Sequence, residues 1–167
     1  MDLSFDTLRS DLEGDLLDAT FDRGRYATDA SIYQMMPLAV VLPKSVTDIK
    51  KTIAFARMHG LKILPRGGGT SQNGQTVNNA IVLDNSKYLN RLLSLDEETM
   101  RCTVEPGMVL DELNRLLKPY GLWFPVELRA TARPCFLRTG LGVGLPLPGI
   151  ASMAASITLS KSPTLAV

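Results

Sequence analysis

The chain has 167 residues, of which 45% are hydrophobic and 21% charged, and this composition predicts a globular domain rather than a disordered polypeptide. A formal net charge of +1 provides no long-range field of the kind that attracts nucleic acid or an anionic membrane, so neither is expected as a partner. Two cysteines and one histidine (Cys102, Cys135 and His59) form no metal-ligand or disulfide pattern, and no metal site is expected.

Residues 1–36 are predicted to form a helix followed by an irregular lead-in. Residues 4–18 place apolar side chains three or four positions apart behind Ser4, a suitable N-cap, and this spacing predicts one amphipathic helix. Met35 and Met36 are predicted to fill gaps in the core. The first twenty residues hold six acids and no apolar run, which argues against a secretory signal and predicts a cytoplasmic protein with reduced thiols.

The next segment predicts a strand, a helix and a second strand that together form a right-handed βαβ unit over residues 38–65. LAVVLP is rich in β-branched residues, Ser45 can cap the helix VTDIKKTIAFARMHG, and LKILP supplies the second strand. Gly60 fits the position just after the helix. His59 is interpreted as a residue at the helix end rather than as a catalytic base.

A polar loop then precedes three further strands and a helix. AIVLD is predicted to be a strand, and YLNRLLSLDEETMRCTVEPG is predicted to form two strands joined by an acidic turn. VLDELNRLLKPYG has a helical stripe of apolar side chains that Pro119 and Gly121 end. This order of elements predicts the α+β class with a small mixed sheet.

The loop that begins at Arg66 has the clearest chemical meaning. The three glycines at 67–69 follow a strand, and without Cβ atoms they can take positive φ and present N–H groups to an anion. Thr70 and Ser71 add hydroxyl donors, and Arg66 adds positive charge. These features favour a phosphate site, although glycine runs also form plain flexible turns. The Walker A and Rossmann patterns do not match, since Thr70 stands where Walker A needs Lys and no helix follows.

Several ordered motifs around this loop resemble a known family. LAVVLPKSVTDIKKTIAFARMHGLKILPRGGGTSQNGQ and IVLDNSKYLNRLLSLDEETMRCTVEPGMVLDELNRLLKPYGLWFPVE are similar to the FAD-binding PCMH-type domain of the FAD-linked oxidase (vanillyl-alcohol oxidase) superfamily. With RYATDASIYQMMP, they look most like bacterial D-lactate and D-2-hydroxyglutarate dehydrogenase-like proteins. The resemblance covers about residues 20–127 and implies that residues 37–127 form the first subdomain of a PCMH-type fold, with the second subdomain incomplete.

In that family the loop after the second strand wraps the FAD pyrophosphate, which implies a set of cofactor contacts here. These are Arg66, Gly67, Gly68, Gly69, Thr70 and Ser71, then Gly74 and Gln75 at the far end of the loop, with Pro43 near the adenine. Thr70 stands where some relatives carry the histidine that attaches the flavin, so non-covalent FAD is expected. A β-branched residue at Gly68 is expected to abolish FAD binding by filling phosphate space and resisting positive φ.

The resemblance implies a flavin-dependent oxidoreductase that acts on 2-hydroxy acids of the D-lactate or D-2-hydroxyglutarate type. The family's catalytic groups lie in a later domain, so no catalytic residue is assigned here. Arg23, Arg25, Tyr26 and Asp29 are interpreted as a solvated surface with one packed tyrosine. A non-catalytic flavin-binding remnant and a small α+β interaction domain stay open as alternatives. The electron acceptor also stays open, an iron–sulfur partner being one option.

Residues 128–167 differ from the rest of the chain because all 17 acidic residues lie before them. The family's second glycine-containing segment is not recognisable there. We interpret this tail as the result of a reading-frame change in a longer gene, and we expect it to be disordered or poorly packed in a truncated protein. A membrane span over residues 139–160 is the alternative, but its two prolines and four glycines argue against it.

Overall fold

The computed structural model describes residues 4–125 and 155–161, and the chain divides into two compact units between Tyr88 and Leu89. This division falls inside the single subdomain that the sequence placed at 37–127, whose outer boundaries stay predictions. In chain order, the first unit contains α1 (Asp6–Asp11), β1 (Asp15–Leu17), α2 (Thr20–Gly24), β2 (Ala39–Leu42), α3 (Val46–Met58), β3 (Ile63–Arg66) and β4 (Ile81–Asp84).

Among the described residues of the first unit, one sheet has the strand order β1-β2-β4-β3. β2, β4 and β3 run parallel, whereas β1 pairs with β2 in the antiparallel direction. β2 and β4 are buried along their whole length, and except for Asp84 at the end of β4 their residues are all apolar, as expected of strands covered on both faces. β3 lies at one edge of the sheet and contains Pro65. The predicted α+β class with a mixed sheet is confirmed.

α3 follows the sequence prediction closely. The Ser45 side chain accepts a hydrogen bond from the backbone N–H of Asp48 at 3.2 Å, as expected of an N-cap. Ile49, Thr52 and Ala56 form its buried face. Gly60 has φ of +63°, the left-handed conformation that commonly ends a helix.

The predicted helix over residues 4–18 is wrong in its second half, because α1 ends at Asp11 and β1 follows. Between them the chain turns against the start of α3, where the Asp48 carboxylate accepts backbone N–H bonds from Glu13 at 2.9 Å and Gly14 at 3.0 Å. A Cβ at Gly14 would lie 2.2 Å from the Leu42 carbonyl oxygen. Only glycine therefore permits this approach to β2, and Leu16 packs as a strand residue.

The lead-in also departs from expectation. α2 forms within the stretch predicted to be irregular. Met35 and Met36 are 45% and 39% exposed, so the prediction that they fill gaps in the core is wrong. Ile32 beside them is almost fully exposed. Ile32, Met35 and Met36 thus lie on the surface of the first unit.

The second unit contains β5 (Leu92–Asp96), β6 (Arg101–Val104), α4 (Leu110–Leu117), a 3-10 turn (Lys118–Tyr120), β7 (Leu122–Trp123), β8 (Ala155–Thr158) and β9 (Ser160–Lys161). β5, β6 and β8 form an antiparallel sheet, and β7 pairs with β9. The apolar stripe predicted on α4 packs with β6 in one core. Its buried members are Cys102, Val104, Met108, Leu110, Leu113, Leu117, Leu122 and Leu159.

The tail contributes two of these strands. β8 pairs with β6, and β9 pairs with β7, so the expected disorder is wrong for residues 155–161. The rest of the tail lies outside the described residues, and its proposed origin in a frame change stays a prediction. The membrane span considered over residues 139–160 lies largely outside them too. Within the part of the chain that the structure describes, no helix is long and apolar enough to cross a membrane.

Candidate functional site: the glycine loop

The glycine loop, residues 67–80, connects the end of β3 to the start of β4. Because β2, β4 and β3 are parallel, their carboxyl ends share one edge of the sheet, where ligands of open α/β sheets usually bind. Pro43, which directly follows β2, is buried at this edge. β4 lies between β2 and β3, so Pro43 is two strands away from the loop.

The backbone of the loop is left-handed at two glycines. Gly69 has φ of +63° and Gly74 has φ of +69°, whereas Gly67 and Gly68 are not among the glycines with positive φ. The expectation of positive φ at Gly68 is therefore wrong, and the conformation that other residues resist belongs to Gly69. Within the described residues, the N–H groups of Gly68 and Gly69 donate to no protein acceptor.

The Arg66 side chain is directed into the protein. Only 8% of Arg66 is exposed, and its guanidinium donates to three backbone carbonyls: Tyr26 at 3.0 Å, Thr28 at 2.8 Å and Thr76 at 2.9 Å. It also lies over the Tyr26 ring, 5.2 Å from the ring centroid. Burial lowers the pKa of the guanidinium, and the nearby Asp84 carboxylate opposes this effect. An arginine remains charged under such shifts, so a buried cation lies beneath the loop.

Asp29 joins the lead-in to the far end of the loop. Its carboxylate accepts bonds from the Thr76 hydroxyl at 2.9 Å and the Thr76 N–H at 3.3 Å, and from the Ser31 N–H at 2.9 Å. Burial tends to raise the pKa of Asp29, but the hydrogen bonds from Ser31 and Thr76 outweigh it and hold the pKa below its usual value. The Ala30 N–H donates to the Gly69 carbonyl at 3.1 Å.

Two other predicted site residues bind each other within the loop. The Ser71 hydroxyl is buried, donates to the Gln75 side-chain oxygen at 3.0 Å and accepts from the Gln75 N–H at 3.2 Å. Gly74 next to them packs on Tyr33, since a Cβ there would lie 2.6 Å from the ring. These contacts shape the turn at the far end of the loop. Direct contact of Ser71, Gly74 and Gln75 with a cofactor stays a prediction, as it does for Arg66, Gly67, Gly68, Gly69, Thr70 and Pro43.

The end of β4 adds polar groups that the sequence prediction did not include. The Asp84 carboxylate accepts from the Tyr26 hydroxyl at 2.8 Å and from the Ser86 N–H at 2.9 Å. Burial, with the neighbouring Asp84 charge, raises the pKa of Tyr26, so the phenol stays a donor. Asn85 is buried, and its side-chain oxygen has no hydrogen-bond partner in the described structure. A buried acceptor of this kind is suited to a donor from a ligand.

The sequence prediction missed the role of Tyr26, Asp29, Thr76 and Asp84. Tyr26 is packed as predicted, but Asp29 is hydrogen-bonded to the loop rather than being a solvated surface residue. The RYATDAS motif was the available signal, since it resembled the same family as the glycine loop did. Its contact with the loop depends on residues about 40 positions apart, which local patterns cannot reveal.

Comparisons with known proteins agree with this geometry. Residues 37–136 match the family described as FAD binding domain. The chain is 40% identical over 124 residues to the D-2-hydroxyglutarate dehydrogenase of Haemophilus influenzae, and 42% identical over 123 residues to that of Escherichia coli. Each alignment covers 72% of this chain and 12% of the relative, so the chain spans about an eighth of the length of these curated relatives.

A solved structure shows the same fold. BBE-like 1 from Physcomitrella patens superposes with a TM-score of 0.63 at 18% identity, covering 75% of this chain and 28% of that one. The loop residues fit a diphosphate: Gly69 takes a left-handed conformation, and the N–H groups of Gly68 and Gly69 donate to no acceptor among the described residues. With its PCMH-type fold, the chain belongs to the FAD binding domain family, and its cofactor is FAD.

Proposed function

We propose that the glycine loop holds the FAD diphosphate non-covalently, and that the chain serves a flavin-dependent dehydrogenase acting on 2-hydroxy acids of the D-2-hydroxyglutarate type. Family membership over residues 37–136 supports the cofactor. The names of the relatives at 40% and 42% identity support the substrate class. The observation that carries the proposal is the left-handed Gly69 at the carboxyl edge of the parallel strands.

The chain's own residues bind and orient the cofactor in this proposal. The amides of Gly68 and Gly69 donate to the phosphate oxygens, and the buried Arg66 cation favours the negative charge above it. Bound FAD would supply the hydride-accepting chemistry that oxidation of a 2-hydroxy acid requires. We assign no catalytic residue in this chain, and a cytoplasmic location stays a prediction from its acidic first residues.

An interaction domain with a purely structural glycine loop is the alternative, and membership of the FAD binding domain family argues against it. Flavin binding without turnover is the other alternative. Anaerobic mixing of the FAD-loaded chain with D-2-hydroxyglutarate separates this from dehydrogenase activity. Bleaching of the flavin absorbance is expected for a dehydrogenase, whereas an unchanged spectrum would assign substrate oxidation to residues beyond this chain.

The diphosphate assignment is tested by calorimetric titration with FAD, ADP and riboflavin. ADP carries the diphosphate without the flavin ring and riboflavin carries the ring without the diphosphate, so FAD and ADP are expected to bind and riboflavin to bind much more weakly. Gly69→Ala should weaken FAD and ADP binding by at least about tenfold, because an L-residue resists this backbone conformation.

Gly60→Ala is the matched control for that titration. Gly60 has the same φ of +63°, but a Cβ there would meet no heavy atom within 4 Å, and it lies at the end of α3. Its replacement should cost some stability and leave both affinities unchanged. Riboflavin binding as tightly as FAD, or full affinity in Gly69→Ala, would remove the loop from the cofactor site.

A further inference from the structure

We propose that Arg66 is a positioning residue that organises the glycine loop from beneath before the cofactor arrives, rather than a ligand of the phosphate. This inference refines the proposed function. Of its tests, only the FAD titration rests on that function. The planar guanidinium presents its N–H donors in a fixed fork, which suits several carbonyl acceptors at once. In this structure the fork is directed at backbone carbonyls on two separate segments.

The Arg66 guanidinium joins segments that lie far apart in the chain. One N–H-bearing nitrogen donates to Tyr26 and Thr76, at 3.0 and 2.9 Å, and the other donates to Thr28 at 2.8 Å. Tyr26 and Thr28 belong to the lead-in, whereas Thr76 lies at the far end of the glycine loop. Arg66 itself precedes the loop. One side chain therefore joins both ends of the loop to the lead-in.

Gly69 lies directly against the Arg66 side chain. A Cβ at this position would lie 2.5 Å from the terminal nitrogen of Arg66 and 3.1 Å from its central carbon. The guanidinium thus occupies the space that a side chain at residue 69 would need. The Gly69 carbonyl also accepts the Ala30 N–H at 3.1 Å, which holds the middle of the loop against the lead-in. Arg66, Gly69 and the lead-in accordingly form one packed arrangement.

Positioning and direct phosphate contact differ in whether lysine can replace the arginine. A phosphate ligand can be replaced in part by lysine, which provides a point charge. A fork that binds three carbonyls cannot be replaced by lysine, because one ammonium lacks the planar spread of donors. Lysine at residue 66 therefore separates the two roles, since charge is retained and geometry is lost.

The experiment begins without FAD. Hydrogen–deuterium exchange of the hydrogen-bonded loop amides of Gln75 and Thr76 is measured in the wild-type chain, Arg66→Lys and Arg66→Met. Positioning predicts at least about tenfold faster exchange in both variants. Amides in β2 and β4 should stay protected, which shows that the variants are folded. Arg25→Lys is the matched control, because Arg25 is a mostly exposed arginine of the same lead-in and should leave exchange unchanged. Unchanged loop exchange in Arg66→Lys would overturn the proposal.

A double-mutant cycle tests the Gly69 contact, also without FAD. Gly69→Ala should reduce the folding equilibrium constant more than Gly60→Ala, by about tenfold, and this excess should largely vanish in an Arg66→Met background. Because Gly60 and Gly69 have the same φ of +63°, the backbone cost of an alanine is common to both variants and cancels when their stabilities are compared. Equal excess in both backgrounds would overturn the proposal, even if Arg66→Met is less stable.

FAD titration completes the test. Positioning predicts that Arg66→Lys loses about as much affinity as Arg66→Met, whereas a direct contact predicts that lysine retains most of it. Retention in Arg66→Lys would overturn the proposal. Absence of FAD binding in the wild-type chain would contradict the proposed function alone, because the exchange and double-mutant results are obtained without the cofactor.

Discussion

Single carboxylates hold several parts of this chain together through backbone N–H groups. Asp29 accepts hydrogen bonds from the N–H and hydroxyl groups of Thr76 in the glycine loop. Asp48 accepts hydrogen bonds from the backbone N–H groups of Glu13, Gly14 and Lys44. At Asp29 these bonds favour the charged form, so the stability that this connection contributes depends on pH.

The pH dependence at Asp29 has a definite sign. Its pKa in the folded chain lies below the ordinary value of 3.8, because the bonds from Ser31 and Thr76 outweigh burial. Its contribution to the free energy of unfolding is therefore complete above 3.8 and is lost as the pH falls through the lower folded pKa. Asp29→Asn should be less stable than wild type at about pH 6, with the difference shrinking as the pH falls below about 4.

Urea denaturation at a series of pH values measures this difference. Thr76→Val removes one donor hydroxyl and leaves the Asp29 carboxylate in place, so it should reduce the pH-dependent part of the free energy of unfolding. A stability difference between wild type and Asp29→Asn that stays constant across the acidic range would contradict the assignment.

At the scale of elements, local patterns predicted those helices and strands whose caps and apolar spacing are visible in their own sequence. Ser45 and Gly60 mark the ends of α3, and the apolar stripe of α4 places its buried leucines. β1 could not be found in this way, because its start depends on Asp48 and on the close approach of Gly14 to Leu42. A helical spacing of apolar residues was overridden by these distant contacts.

The same limit applies to the candidate site. The glycine loop was found from its composition and its place after a strand, because those properties are local. The inward direction of Arg66 and the contacts of Tyr26 and Asp29 join segments far apart in the chain. Gly69 rather than Gly68 has positive φ and lies against Arg66, and three identical glycines in a row do not disclose which of them does so.

Asp48 is the point at which the turn before β1 meets the start of α3. One carboxylate oxygen accepts from Glu13, and the other accepts from Gly14 and Lys44, at 2.9 to 3.0 Å. Asp48→Ala should lower the free energy of unfolding by roughly 3 kcal/mol, because it leaves these N–H groups without an acceptor. The free energy of unfolding of Asp48→Asn should lie between those of the wild type and Asp48→Ala, since the asparagine amide keeps only one acceptor oxygen.

Chemical denaturation measures these losses, with Asp111→Ala as the control. Asp111 is an exposed acid in the first turn of α4, where replacement should change stability by about 0.5 kcal/mol or less. An Asp48→Ala variant as stable as Asp111→Ala would show that the turn before β1 does not depend on this carboxylate.

At the scale of the whole molecule, the chain contains two packed units, and each has its own core. The second core uses residues on both sides of the undescribed stretch, since Leu159 packs with the side chains of β6 and α4. Part of a segment that differs in composition from the rest of the chain is thus built into a sheet. Composition alone therefore did not mark the limit of the fold.

Leu159→Ala tests whether that segment stabilises the second unit. Leu159 is 3% exposed, and truncating a buried leucine typically costs about 2–5 kcal/mol. Unfolding in urea can be followed by the fluorescence of Trp123, the single tryptophan, which lies on β7 in the same unit. Thr158→Ala, at an exposed neighbouring position, should have little effect. Equal midpoints for the two variants would show that the segment contributes nothing to this core.

Pro65 on β3 affects how the first unit meets other molecules. β3 is an outermost strand among the described residues, and such strands can recruit a foreign strand and start aggregation. Proline has no backbone N–H to offer an incoming chain, so the ladder on that side is interrupted at its centre. A residue just before the glycine loop thereby also helps to keep separate copies of the protein from joining sheet to sheet.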